Sequence, residues 1–193
     1  LRDVWLTNFK QSQNHKYDGR RLIDVAELRG EDPVETLFEL MVEENLGVNM
    51  VGLGTNPHTL SAFVAHPYGM IASDAILLGE YPSPRSYGCF PIVLSEFVRA
   101  EKHLRIPEAI RKMTSFPAQR MGLPDRGLLK DGFMADIVVF NPDTVKAPAT
   151  REDPKQYSVG IEYVIVNGQV AIDRGSNTGV LAGRALRRGR AST

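Results

Sequence analysis

Residues 161–172 have the sequence IEYVIVNGQVAI, which gives the clearest local signal of the fold. Two apolar runs, Ile161–Val166 and Gln169–Ile172, flank the dipeptide Asn167-Gly168. Because Asn-Gly favours the left-handed backbone of a two-residue turn, the stretch predicts an antiparallel β-hairpin. The apolar run Ala135–Phe140 predicts a further strand of the same small β unit.

Upstream of this β unit, short strands alternate with helices. Asp32-Pro33 predicts a helix start, since Asp caps a helix and Pro fits its first position. Met70–Ser73 predicts a short buried strand with Asp74 at its C-terminal end, and Pro91 predicts the start of a later helix. Four apolar side chains at helical spacing predict one apolar face of the helix after Asp32: Val34, Leu37, Phe38 and Met41.

This order of elements predicts parallel β/α architecture followed by a β appendage, with a boundary near residue 125. Only two or three β/α units can be recognised in the 193 residues. A complete eight-stranded barrel needs roughly 250 residues. The residues alone leave two alternatives, a small three-layer domain or the final portion of a barrel.

Composition excludes several classes of protein. With 42% hydrophobic and 24% charged residues the chain is not disordered, and 23 basic against 23 acidic residues give no excess to attract nucleic acid or an anionic membrane. No apolar run approaches the roughly 20 residues of a membrane span. The single cysteine, Cys89, excludes a disulfide framework and favours a reducing, cytoplasmic location.

Three residues are candidates for chemistry, and each has a structural alternative. Asp74, at the end of a buried parallel strand, would point into the mouth where barrel active sites form and could act as a general base; otherwise it caps a turn. Arg85 suits bidentate recognition of a carboxylate or phosphate; otherwise it is an exposed loop residue. Tyr87 could donate a hydrogen bond to substrate or could pack as a loop aromatic.

No recognisable metal site is present in the sequence. The four histidines, His15, His58, His66 and His103, do not occur at H-x-H or H-E-x-x-H spacing. A helix-end or packing role fits His66 better than ligation, His103 is expected to be exposed, and neither His15 nor His58 is a good candidate for a ligand. A packing role fits Cys89 better than a nucleophilic or metal-binding one.

Several stretches resemble N-acyl-D-amino-acid deacylases (D-aminoacylases) of the amidohydrolase superfamily. The most specific is Pro84-Arg-Ser-Tyr-Gly-Cys-Phe-Pro91, which follows Ala72-Ser-Asp74 as it does in that family. Supporting stretches are Glu108–Ala118, Arg126–Leu129, Ala135–Pro142 and Gly160–Gly168. The resemblance covers nearly the whole chain and implies residues 1–125 as the last β/α units of a TIM barrel and residues 126–193 as strands of a small β domain.

The resemblance also implies a reaction. Members of this family hold zinc through residues of earlier strands and hydrolyse the amide bond of N-acyl-D-amino acids. By resemblance, Asp74 matches the residue that takes a proton from the metal-bound water and returns it to the leaving amine. Arg85 matches the clamp on the substrate α-carboxylate. Zinc is thus expected for the complete enzyme, with no ligand assigned in this chain.

Three departures from the family pattern qualify this assignment. The early metal-binding strands are absent, a histidine usual before the Pro84-Arg85 pair is replaced by Ser83, and Cys89 replaces a small hydroxyl residue. We therefore expect the isolated chain to be inactive and to associate with itself or with the missing N-terminal portion. The rival interpretations are an amidohydrolase acting on a cyclic amide and a non-catalytic, partner-binding module.

Overall fold

The computed structural model describes residues 3–52 and 56–189, which form two compact units. The first unit contains the described residues up to Asn56 together with Asp74–Tyr87 and Ala149–Gln156, and the second contains Pro57–Ser73, Gly88–Pro148 and the described residues from Tyr157 onward. These borders do not follow the boundary near residue 125. The division into 1–125 and 126–193 stays a prediction about the complete protein.

Short strands and helices make up the mixed α/β fold. The strands are β1 (Val4–Thr7), β2 (Asn49–Gly52), β3 (Ile137–Phe140), β4 (Ile161–Val166), β5 (Gln169–Asp173) and β6 (Ser176–Asn177). The helices are α1 (Leu22–Arg29), α2 (Pro33–Glu43), α3 (Pro57–Ala65), α4 (Arg85–Ile92), α5 (Ile106–Met113) and α6 (Ser115–Met121), with a 3₁₀ helix at Ser12–Tyr17 and a π-helix at Val93–Ala100. None of the helices within the described ranges is both long and apolar enough to cross a membrane.

In the first unit, β1 and β2 pair antiparallel, with Trp5 opposite Val51. The helices α1 and α2 pack against each other, and α2 begins as predicted because the Asp32 side chain accepts a hydrogen bond of 2.8 Å from the Val34 amide. The core of this unit consists of apolar side chains that are at most 6% exposed: Leu6, Phe9, Tyr17, Leu22, Val25 and Leu40.

The predicted apolar face of α2 is buried only in part, since Leu37 packs against the core of this unit. Val34 and Phe38 are exposed, whereas Thr36 and Leu40 are fully buried. Thr36 is buried without penalty because its hydroxyl donates to Glu31 at 2.9 Å. Apolar spacing therefore located the helix but not the face that packs, because α2 has apolar side chains on two neighbouring faces.

In the second unit, the predicted hairpin is confirmed. The strands β3, β4, β5 and β6 form one antiparallel sheet in that order, and Asn167 and Gly168 connect β4 to β5. Their φ angles are 48° and 81°, both in the left-handed region that a two-residue turn of this kind requires. The segment before β3 is attached to this turn, since Arg126 donates to the side chains of both Asp136 and Asn167.

The expected buried strand at Met70–Ser73 is wrong. These residues are extended but belong to no strand, Met70 is 41% exposed and Ile71 is only half-buried. A parallel strand is stabilised by neighbours on its two edges, and both sheets among the described residues are antiparallel and formed by other segments. One backbone hydrogen bond, from the Ile71 amide to the Lys112 carbonyl at 3.1 Å, holds the segment instead.

The helix predicted to start at Pro91 begins earlier, at Arg85. The amides of Ser86 and Tyr87 donate to the carbonyls of Ser83 and Pro84, which starts the helix before the proline. Pro91 consequently lies inside α4, and the wider π-helix follows two residues later. Proline removes a helical hydrogen bond at its own position, so a change in winding next to it is expected.

Candidate functional site

Asp74 and Arg85, two of the three candidates from the sequence, lie side by side in the first unit. The Arg85 Nη2 atom is 3.6 Å from Asp74 Oδ2 and 3.4 Å from the Asp74 carbonyl oxygen. The Asp74 side chain is 88% exposed and the Arg85 side chain 55% exposed, so both can be reached from solvent. Eleven positions apart in sequence, a carboxylate and a guanidinium thus form one small polar surface.

The local backbone explains how the two side chains meet. Asp74 has a φ of 43°, in the left-handed region, so the chain turns sharply after the extended segment Met70–Ser73. Arg85 is the first residue of α4. In the same unit the Ser86 hydroxyl donates to the Ile76 carbonyl at 3.2 Å, which attaches the first turn of α4 to the segment after Asp74.

Tyr87 and Gly88 continue the first turn of α4. Tyr87 is half-buried, and its amide donates to the Pro84 carbonyl at 3.1 Å. Gly88 is buried in the second unit, where a Cβ atom in its place would clash with the Cβ of Ala147. A glycine is therefore needed at this position of the Arg-Ser-Tyr-Gly motif for reasons of packing.

Cys89 and the histidines are separate features. In the second unit, Cys89 Sγ is 3.3 Å from the Ala72 carbonyl, which is the contact that a small hydroxyl side chain could also make. His66 Nδ1 accepts a hydrogen bond of 3.3 Å from the Tyr68 amide, and His103 Nε2 lies 3.1 Å from Glu101. The assignment of Cys89 and His66 to structural roles agrees with these contacts.

Sequence reasoning missed Lys112, which holds the segment that precedes Asp74. Its side chain is fully buried in the second unit, and its ammonium group donates to the carbonyls of His66 and Gly69. Burial lowers the pKa of Lys112. Its spacing could have indicated this burial, because Lys112 follows the buried Ala109 by three residues on α5 and lies on the same face of the helix.

The first unit also contains a cavity of about 580 Å³. Its lining includes the polar side chains of His15, Asp18, Glu80 and Lys155, and Glu80 and Lys155 form an ion pair of 2.9 Å. Burial raises the pKa of Asp18, although the amide of Asn8 donates to its carboxylate at 2.7 Å and acts in the opposite direction.

Comparison with known proteins places the chain in a family. Residues 15–172 match the Amidohydrolase family. The chain belongs to the amidohydrolase family. This amidohydrolase chain is 36% identical to the D-aminoacylase of Alcaligenes xylosoxydans xylosoxydans over 170 residues, which cover 88% of the chain and 34% of that protein.

Solved structures give the same result. A crystal structure of D-aminoacylase matches the amidohydrolase chain with a TM-score of 0.88 and 33% identity, over 96% of this chain and 38% of that chain. N-acyl-D-glutamate deacylase from Bordetella bronchiseptica, complexed with zinc and a phosphonate inhibitor, matches with a TM-score of 0.82 and 30% identity, over 95% of this chain and 38% of that chain. The resemblance to D-aminoacylases is confirmed, and the chain spans between 34% and 38% of the length of these relatives.

The zinc in the Bordetella enzyme raises the question of whether this chain's residues fit a metal site. Within residues 3–52 and 56–189, no three His, Cys, Asp or Glu side chains form a group that could hold an ion. A catalytic zinc takes three protein ligands. The described residues therefore do not fit a complete metal site.

Proposed function

We propose that this chain is the C-terminal portion of an enzyme that hydrolyses the amide bond of N-acyl-D-amino acids. Its fold would supply the last β/α units of a TIM barrel and part of a small β domain. The proximity of Asp74 and Arg85 within the region that matches the Amidohydrolase family carries the proposal. The match to D-aminoacylases supports the substrate class. A cytoplasmic location stays a prediction.

Asp74 is the proton carrier in this proposal. Its carboxylate accepts a proton from the water that attacks the amide carbonyl, and it returns that proton to the nitrogen as the C–N bond breaks. Its 88% exposure leaves both oxygens open to water. The left-handed backbone at Asp74 and the hydrogen bond from Arg85 to its carbonyl hold the main chain at this residue.

Arg85 binds the free α-carboxylate of the substrate in this proposal. Its guanidinium offers parallel N–H donors that match the two oxygens of a carboxylate. Because Arg85 is also 3.6 Å from the proposed base, a substrate held by it would have its amide bond close to Asp74. Tyr87, in the same turn of α4, would line the same binding site.

The test is Asp74→Asn in the complete enzyme that contains this sequence. Asparagine keeps the shape but cannot take the proton, so kcat for N-acetyl-D-amino acids should fall by about 10²–10⁴ with little change in KM. Asp143→Asn, an exposed acid in the second unit, is the matched control and should leave kcat unchanged.

Near-normal turnover by a folded Asp74→Asn enzyme would contradict the role of Asp74. Turnover of a dihydropyrimidine-like ring but not of N-acetyl-D-amino acids would contradict the substrate class and favour the cyclic-amide alternative. Absence of both activities in the complete wild-type enzyme would favour the partner-binding module.

A further inference from the structure

Arg151, in the first unit, is a buried cation that the proposed function does not use. It is only 9% exposed, and its guanidinium carbon lies 5.3 Å from the centre of the Trp5 ring. A cation over an indole face at this distance is attracted by the ring, but the attraction does not satisfy the N–H donors. Burial lowers the pKa of Arg151, and only the neighbouring Glu152 acts against this effect.

The unsatisfied donors of Arg151 are on one edge. Among the described residues, neither Nε nor Nη2 of Arg151 has a hydrogen-bond partner, and both atoms are buried. Burying a donor without a partner is unfavourable, and more so when the donor is charged. A partner that satisfied both atoms at once would therefore be bound favourably.

Two other arginines show what this edge binds. Arg21 holds Asp24 through Nε at 2.7 Å and Nη2 at 2.5 Å. Arg111 holds Glu108 through the same two atoms, each at 2.9 Å. In both pairs the two parallel donors meet the two oxygens of one carboxylate. Arg151 presents the same pair of donors without a carboxylate.

A second buried donor lies on the same side of β1. Trp5 and Thr7 are two residues apart on this strand, so their side chains project to the same face. Thr7 is 4% exposed, and its hydroxyl also has no hydrogen-bond partner among the described residues. The face of β1 that faces Arg151 thus has a hydroxyl to offer in addition to the guanidinium.

We propose that the Nε/Nη2 edge of Arg151 binds the carboxylate of a small organic acid. Because both atoms are buried, the ligand enters through a local opening of the irregular segment Ala149–Gln156, and a small acid such as acetate or formate requires the smallest opening. The acid released by the proposed deacylation belongs to this chemical class, but the site does not depend on that function.

The experiment uses the single tryptophan of the chain. Since Trp5 is the only tryptophan and Arg151 stacks on its ring, emission excited at a wavelength selective for tryptophan reports directly on the site. The 193-residue chain is titrated with sodium acetate against sodium chloride at equal ionic strength. We expect a saturable change in Trp5 emission with acetate only, and a rise in Tm of about 3–6 °C at ten times Kd.

Two variants identify the group responsible. Arg151→Lys keeps the positive charge but lacks the paired donors, so the acetate-specific changes in emission and Tm should disappear. Arg21→Lys is the matched control, because the edge of Arg21 already holds Asp24, and it should respond as the wild type does. An acetate response that persists in Arg151→Lys would overturn the proposal. A wild-type titration in which acetate and chloride have the same effect would also overturn it. That outcome can be read even if the variants do not fold.

Discussion

The proposed reaction depends on two side chains, Asp74 and Arg85. The role of Arg85 in binding substrate can be tested separately from the role of Asp74 as the base. In the complete enzyme, Arg85→Ala should lower kcat/KM, because a charge-assisted pair with the substrate carboxylate is lost. The loss of transition-state stabilisation should be roughly 2–5 kcal/mol. The loss should be much smaller for a substrate whose α-carboxylate is replaced by a neutral amide. Steady-state kinetics on the two substrates measures the difference.

Arg120→Ala, an exposed arginine on α6, serves as the control and should affect neither substrate. Equal losses for the acid and the amide would show that Arg85 does not bind the carboxylate.

Glu44 is a buried carboxylate on which the first unit depends. It is 1% exposed and accepts hydrogen bonds from the Lys10 amide at 2.7 Å and the Asn14 side chain at 2.8 Å. Burial acts to raise its pKa, but these hydrogen bonds outweigh burial, and the pKa of Glu44 is lowered from 4.5. Glu44→Gln should therefore lower the free energy of unfolding by about 1–3 kcal/mol at pH 7.

The pH dependence of this effect has a definite sign. A carboxyl group with a lowered pKa in the folded state stabilises fully above its unfolded pKa, and this contribution is lost as pH falls through the folded value. The stability difference between wild type and Glu44→Gln should thus shrink below about pH 4.5 in denaturant titrations. Glu35→Gln, an exposed residue of α2, should show little difference at either pH, and a Glu44 difference that grew on acidification would contradict the assignment.

Residues of the site differed in how far they could be predicted. Asp74 and Arg85 are candidates because of their motif, and the structure brings them side by side, while their roles stay predictions. Lys112, Glu44 and Arg151 were not found. Charged residues are usually exposed, and only the tertiary packing around these three decides that they are buried. The sequence around each of these residues contains no pattern that predicts this packing.

At the scale of elements, the hairpin turn offers a clean test of backbone conformation. Gly168 has a φ of 81°, and a Cβ atom added there would meet no atom within 4 Å. Gly168→Ala should thus lower the free energy of unfolding by about 1–2 kcal/mol through backbone strain alone. Chemical denaturation measures this change.

Gly183→Ala provides the comparison. Space is open around Gly183 too, but its φ lies outside the positive range. This variant should be as stable as the wild type. Equal effects of the two variants would mean that φ at Gly168 does not limit stability.

Elements that depend on residues close together in sequence were predicted better than elements that depend on packing against distant segments. The hairpin and the start of α2 depend on residues a few positions apart, and both are confirmed. The strand expected at Met70–Ser73 depends on strands elsewhere, and the face of α2 depends on what packs against it. A strand of a parallel sheet needs partners on its edges, and among the described residues both sheets are antiparallel and formed by other segments.

For the molecule as a whole, metal content is the decisive property. We expect the 193-residue chain to retain no stoichiometric zinc after dialysis and to have no deacylase activity, because the described residues do not bring three ligands together. Elemental analysis measures the zinc, and a known zinc enzyme taken through the same dialysis controls for losses. A tightly bound ion in each chain, with turnover, would contradict this and direct attention to Asp74, His66 and Cys89.

The buried ammonium of Lys112 also makes this residue a natural reporter of unfolding. The six other lysines are exposed: Lys10, Lys16, Lys102, Lys130, Lys146 and Lys155. An amine-selective acylating reagent should label these six quickly, whereas Lys112 can react only when the second unit opens enough to release its amine from His66 and Gly69. Mass spectrometry of the Lys112 peptide against time would therefore give the opening rate of that unit without any mutation.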